Sequence, residues 1–101
     1  MSGLDSEIER IREAVAPVAS KHGVKRMYLF GSRARGDFAD GSDHDFCIEP
    51  GDIHTLMRLA GFMNDLEAAL GTEVDIVFEG DLRPSFAEEV SRDRRLVYES
   101  G

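Results

Sequence analysis

In the stretch GSRARGDFADGSDHDF, ten residues separate Ser32 from Asp43, and Asp43 and Asp45 stand one residue apart. Residues two apart on a strand share a face, so these two carboxylates would stand side by side. Held about 4 Å apart, two like charges repel by about 4 kcal/mol at an effective dielectric of about 20. A protein tolerates this by splaying both into water or by seating a cation between them. Hard oxygen donors with few protein ligands suit Mg²⁺, which keeps coordination positions for water and substrate phosphates. By itself D-x-D is more often a solvated loop edge. A lone carboxylate within the apolar run VDIVF, Asp75, changes the weighing. It is an outward-facing edge residue, or it completes a three-carboxylate cluster able to hold two metals if its strand lies beside Asp43–Glu49. Gly31-Ser32 ends the apolar run MYLF with no bulky side chain in the way. Its backbone N–H groups and the Ser32 hydroxyl could hold a phosphate. Arg33 and Arg35 follow; they are solvated loop arginines or they steady a triphosphate.

Competing chemistries fail on spacing. GSRARGDF has the two glycines of a P-loop, but Asp37-Phe38 stand where Lys and Ser/Thr are required. A calcium loop starting at Asp40 would need glycine where Asp45 stands. No Cys/His spacing for zinc exists, and His22, His44 and His54 are scattered. The single cysteine, Cys47, excludes an internal disulfide, fits a reducing cytoplasm and reads as a small core residue.

The elements that must position these groups are legible in the periodicity. The 101 residues suit one domain over residues 1–101, with a real core and little room for a second lobe. Ser6-Glu7-Ile8-Glu9 has the form of a capping box, and Ile8, Ile11, Val15, Val18 and Ala19 follow at helical spacing. That predicts a helix over 6–22, stopped by Gly23 and bent or loosened at Pro17. A strand ends at Phe30, residues 31–42 read as turn and loop, and a second strand covers 43–49 with Phe46 and Ile48 on one face. Asp52 is a natural N-cap for a second helix, with Ile53, Leu56, Ala60, Met63, Leu66 and Leu70 on one apolar face, which covers either the sheet and a neighbouring helix or a partner's surface, and Gly71 at its end. Residues 73–78 form a third strand. Pro84 suits the first turn of a third helix holding Phe86, Ala87 and Val90, and Leu96–Tyr98 reads as a short last strand. The pattern is α+β: a mixed sheet with helices packed mainly on one face.

Net charge is −8, the opposite sign from a phosphate-backbone binder, so long nucleic acid is not the expected direct partner. A basic protein or a metal-neutralised nucleotide fits better. No apolar run is long enough to span a membrane, and the charged N-terminus lacks a signal core.

With these residues in place, GSRARGDFADGSDHDF resembles the G-S-x₁₀-D-x-D signature of minimal nucleotidyltransferases, members of the DNA polymerase beta-like superfamily. The helix that follows, EVDIV and the closing LVYE also fit, so the resemblance covers almost the whole chain. It implies the palm-type nucleotidyltransferase fold, with Gly31 and Ser32 at the nucleotide phosphates. It implies that Asp43 and Asp45 bind Mg²⁺ as the catalytic pair and that Asp75 is the third carboxylate. Many such proteins are antitoxins paired with a HEPN-family ribonuclease toxin. The resemblance therefore implies transfer of AMP from ATP to a tyrosine of that partner. Two alternatives remain: a non-catalytic antitoxin that neutralises its toxin by binding, and a small-molecule nucleotidyltransferase working with a separate helical subunit. Self-association, as a homo-oligomer, is left open. The sequence departs from the family pattern at His44, where an aliphatic residue usually separates the aspartates. Strand alternation turns it away from the carboxylates, so altered packing is expected rather than lost catalysis.

Overall fold

The computed structural model describes residues 3–36, 41–81, 88 and 92–100. Helix α1 covers Gly3–His22. Ile8, Ile11, Val15 and Ala19 are all buried at spacings of three and four, which is the amphipathic stripe of the sequence. Pro17 lies inside the helix but on its exposed side, where a missing N–H costs least. Gly23, at φ 70°, reverses the chain into strand β1, Arg26–Phe30.

The sequence predicts only turn and loop after β1. The structure instead forms a one-turn helix, α2, over Ser32–Arg35, between Gly31 and a left-handed Gly36. Strand β2 is His44–Glu49, helix α3 Leu56–Leu70, strand β3 Val74–Phe78 and strand β4 Arg95–Glu99, with a 3-10 turn at Glu79–Asp81. The expected third helix from Pro84, with Phe86, Ala87 and Val90, lies outside the described residues.

The sheet order is β3-β2-β1-β4. β1 runs antiparallel to both β2 and β4, while β2 and β3 are parallel and joined through α3. The sheet is therefore mixed, as expected. α1 and α3 pack on each other and on one sheet face, α1 against β4 and α3 against β3. Met27, Leu29, Phe46, Ile48 and Val74 meet Phe62 and Leu66 of α3 and the α1 stripe in one core. The other face bears Tyr28, Phe30, Asp45, Cys47, Asp75 and Val77 by strand alternation.

Helix α3 corrects two expectations. Its N-cap is Thr55, whose hydroxyl accepts from the Arg58 N–H at 3.1 Å, and not Asp52. Asp52 instead donates its own N–H to the Gly23 carbonyl at 3.0 Å. Its buried stripe runs through Leu59, Phe62, Met63, Leu66 and Leu70, whereas Leu56 is 85% exposed and Ala60 is exposed. The helix begins at Leu56, and its first turn projects away from the core.

Candidate active site

Strand register assembles the site. Phe30, the residue before Gly31, pairs with Asp45, and Asp45 pairs with Asp75. The end of the first strand, the D-x-D strand and the VDIVF strand therefore meet at one point on the open face. Gly31 sits there with φ 74°, and a methyl group added to it would come within 2.6 Å of Asp45 Oδ2. Only glycine lets the backbone turn this close to the carboxylate.

Asp45 and Asp75 face each other across the pairing of β2 with β3, and the Asp45 pKa is pushed up to about 6. Burial is the first cause; the charge and hydrogen bond of Asp75 and the charge of Asp43 add to it, and Arg35 opposes them. Asp43 stands just before β2, exposed, near enough for its charge to act on Asp45. Among the described residues, no three His, Cys, Asp or Glu side chains already converge as a cation cage. The donor set still fits Mg²⁺ chemistry: all its members are carboxylate oxygens, and the charges of Asp75 and Asp43 oppose that of Asp45, a repulsion that a cation would relieve.

The two arginines after the turn part company. Arg35 is exposed, acts on Asp45 through its charge and approaches Asp93 at 3.4 Å. Arg33, expected at the phosphates, is 6% exposed and is placed elsewhere. Its guanidinium donates to the Ser42 carbonyl and to Glu7. It lines a cavity of about 210 Å³ on the helix-covered side with Glu7, Ile11, His44, Leu70 and Thr72.

His44 is 3% exposed and turned to that same side, stacked on Phe46. Its Nδ1 lies 2.5 Å from Thr72 Oγ1. Burial, helped by the Arg33 charge, lowers its pKa to about 4, so the ring is neutral near pH 7. Cys47 is fully buried on the open-face side of the sheet, and burial pushes its thiol up to about 11, so it is no nucleophile. Sequence reasoning missed Glu7 and Thr72. Their contacts to Arg33 and His44 span 26 and 28 residues, and no local periodicity encodes them.

The chain belongs to the polymerase-beta nucleotidyltransferase family: the family model described as "Polymerase beta, Nucleotidyltransferase" matches residues 13–101. It is 33% identical over 93 residues to the protein adenylyltransferase MntA of Thermococcus cleftensis, covering 91% of this chain and 92% of that one. A solved protein provisionally named a minimal nucleotidyltransferase is 39% identical and superposes with a TM-score of 0.71, over 83% of this chain and 86% of that one. The fold is also similar to a chain in the complex of tri-AMPylated Shewanella oneidensis HEPN toxin with MNT antitoxin. That match has a TM-score of 0.66 at 16% identity, over 89% of this chain and 71% of that one. No helix among the described residues is long and apolar enough to cross a membrane.

Proposed function

We propose that this chain is an Mg²⁺-dependent protein adenylyltransferase that moves AMP from ATP to a tyrosine of a HEPN-type toxin, and so acts as its antitoxin. The observation that carries the chemistry is the Asp45–Asp75 carboxyl pair beside the backbone of Gly31. A protein acceptor is supported by the adenylyltransferase of Thermococcus cleftensis, which resembles nearly the whole chain. The toxin partner is supported by the related fold of the MNT antitoxin, whose HEPN partner is AMPylated.

Asp43, Asp45 and Asp75 would hold Mg²⁺ as a two-ion site; when bound, it neutralises the phosphates and lowers the pKa of the acceptor hydroxyl. Gly31 and Ser32 offer N–H and hydroxyl groups to the triphosphate, and Arg35 adds positive charge on the same side. Held in line, the acceptor oxygen bonds to the α-phosphorus. The bond from that phosphorus to the oxygen bridging the β-phosphate breaks, and pyrophosphate leaves. The acceptor proton passes to a carboxylate of the cluster. Arg33 has no part in phosphate binding in this scheme.

The test uses labelled ATP, Mg²⁺ and the cognate toxin. Label should appear on the toxin with the parent protein and fall by at least about a hundredfold with Asp43→Asn or Asp45→Asn. An antitoxin that works by binding alone gives no label, and both variants neutralise the toxin as well as the parent does.

A further inference from the structure

Asp43 lies outside the strand ladder, so its position depends on the peptides on either side of it. On the C-terminal side the His44 N–H donates to the Glu73 carbonyl at 3.0 Å, which ties β2 to β3. On the N-terminal side the anchor is a side chain. Arg33 Nη2 and Nε both donate to the Ser42 carbonyl, at 2.9 and 3.3 Å. Its remaining edge donates through Nη1 to Glu7 Oε1 on α1, at 3.2 Å. Arg33 is 6% exposed, and a guanidinium this buried is stable only when its charge is matched and its donors are used.

We infer that Arg33, backed by Glu7, is a positioning pair that fixes the spacing between the Gly31-Ser32 turn and the Asp43–Asp45 carboxylates from the helix-covered side of the sheet. The role is defined for the nucleotidyl transfer proposed above and rests on that reading. Arg33 begins one residue after the phosphate-facing turn and ends on the peptide bonded to Asp43. A single rigid fork therefore spans both halves of the site and closes the loop between them. Lysine carries the same charge but cannot make two bonds to one carbonyl and a third to Glu7 in one plane. An offset of about 1 Å between phosphate and metal ligands costs about a hundredfold in rate, which is the leverage such a brace has.

The experiment compares Arg33→Lys, Glu7→Gln and the double variant by steady-state AMP transfer and by amide exchange of His44, read by NMR. Each single variant should lower kcat about tenfold or more with KM for MgATP within about threefold, and the double should be little worse than the worse single. The His44 amide, bonded to the Glu73 carbonyl, should exchange about tenfold faster in all three variants, while Leu29 and Phe46 exchange as in the parent. A phosphate-binding Arg33 behaves differently: Arg33→Lys raises KM, Glu7→Gln is silent or tightens MgATP, and exchange is unchanged. That pattern overturns the inference. Should the parent transfer no AMP, the functional reading falls and the exchange arm decides the brace by itself. Faster exchange in both single variants upholds it, and unchanged exchange overturns it.

Discussion

Asp45 faces Asp75 across the parallel pairing of β2 with β3, and the Asp75 carboxyl opposes the ionisation of Asp45. The cation-free site takes up a proton as pH falls toward about 6, and at neutral pH Asp45 is held charged against burial and its acidic neighbours. This costs stability. The Asp45 pKa rises from 3.8 to about 6, so the folded protein holds this proton more tightly than the unfolded chain does. Its contribution is therefore most favourable below about pH 4 and is lost as pH rises to about 6.

Asp45→Asn should accordingly stabilise the protein at pH 7.5 by about 1–2 kcal/mol, after discounting for solvent screening at this half-open site. The midpoint of thermal unfolding should rise by several degrees, and the gain should shrink toward zero near pH 4, where the parent is protonated. An equal gain at both pH values would show that the shift arises elsewhere. The same variant loses transfer, which makes the site a case of function held against stability.

His44 titrates in the opposite sense. Its folded pKa lies near 4, below the ordinary 6.5, so the unfolded chain binds the extra proton between those values. Stability from this ring is complete above about pH 6.5 and is lost as pH falls toward 4. His44→Val should flatten that part of the unfolding curve measured by urea titration. It should also carry a fixed cost of about 1 kcal/mol or more at pH 7, because Thr72 loses its ring partner. A curve parallel to that of the parent would remove His44 as the source.

Gly31→Ala addresses the turn. The new methyl would meet Asp45 Oδ2 at 2.6 Å, and alanine disfavours φ 74°. A loss of about 1–3 kcal/mol is expected from the backbone strain together with the steric displacement. AMP transfer should fall further than stability does, since the displaced group is Asp45 itself. Denaturant unfolding alongside transfer assays separates the two; a fully active variant would place Asp45 outside the chemistry.

Much of the site was legible because strand alternation is strict. Asp43 and Asp45 two apart, and Asp75 between apolar neighbours, predict a shared open face, and the register delivers Asp45 opposite Asp75. The α1 stripe was legible for the same kind of reason, a sustained helical period. Helix α2 was not: four residues between two glycines carry no periodicity, and a turn and one helical turn look alike at that length. Arg33 looked like a phosphate ligand because it flanks the Gly31-Ser32 turn. Its direction is set by Glu7 on a distant helix. Leu56 fitted the apolar spacing of α3 equally well, but whether a helix's first turn reaches the core depends on how far the sheet extends beneath it.

Leu56 and Leu66 make that last point measurable. Leu56 is 85% exposed, whereas Leu66 is fully buried. Leu66→Ala should cost about 2–5 kcal/mol by lost burial and a residual cavity, and Leu56→Ala no more than about 0.5 kcal/mol. Equal costs in urea unfolding would mean that the first turn of α3 packs against something in solution.

Metal binding should be linked to the Asp45 proton. A cation entering beside Asp45 must displace the proton that this carboxyl holds at acid pH, so ion and proton compete for the same oxygens. Below about pH 6 the affinity for Mg²⁺ or Mn²⁺ should rise with pH, and about one proton should be released per ion bound. Above about pH 7 the site is already deprotonated, and both the slope and the release should vanish. Calorimetry in buffers of different ionisation enthalpy measures the proton count directly, at pH 5.5 and at pH 7.5. Asp75→Asn should reduce the release at pH 5.5 in part, because Asp45 then loses its largest charged neighbour while burial and Asp43 still hold its pKa up. ATP should show the companion effect: tight binding with Mg²⁺ present and weak binding in chelator, since three uncompensated carboxylates repel a triphosphate. Proton release that is the same at both pH values, or ATP affinity indifferent to Mg²⁺, would sever the carboxylate pair from the metal.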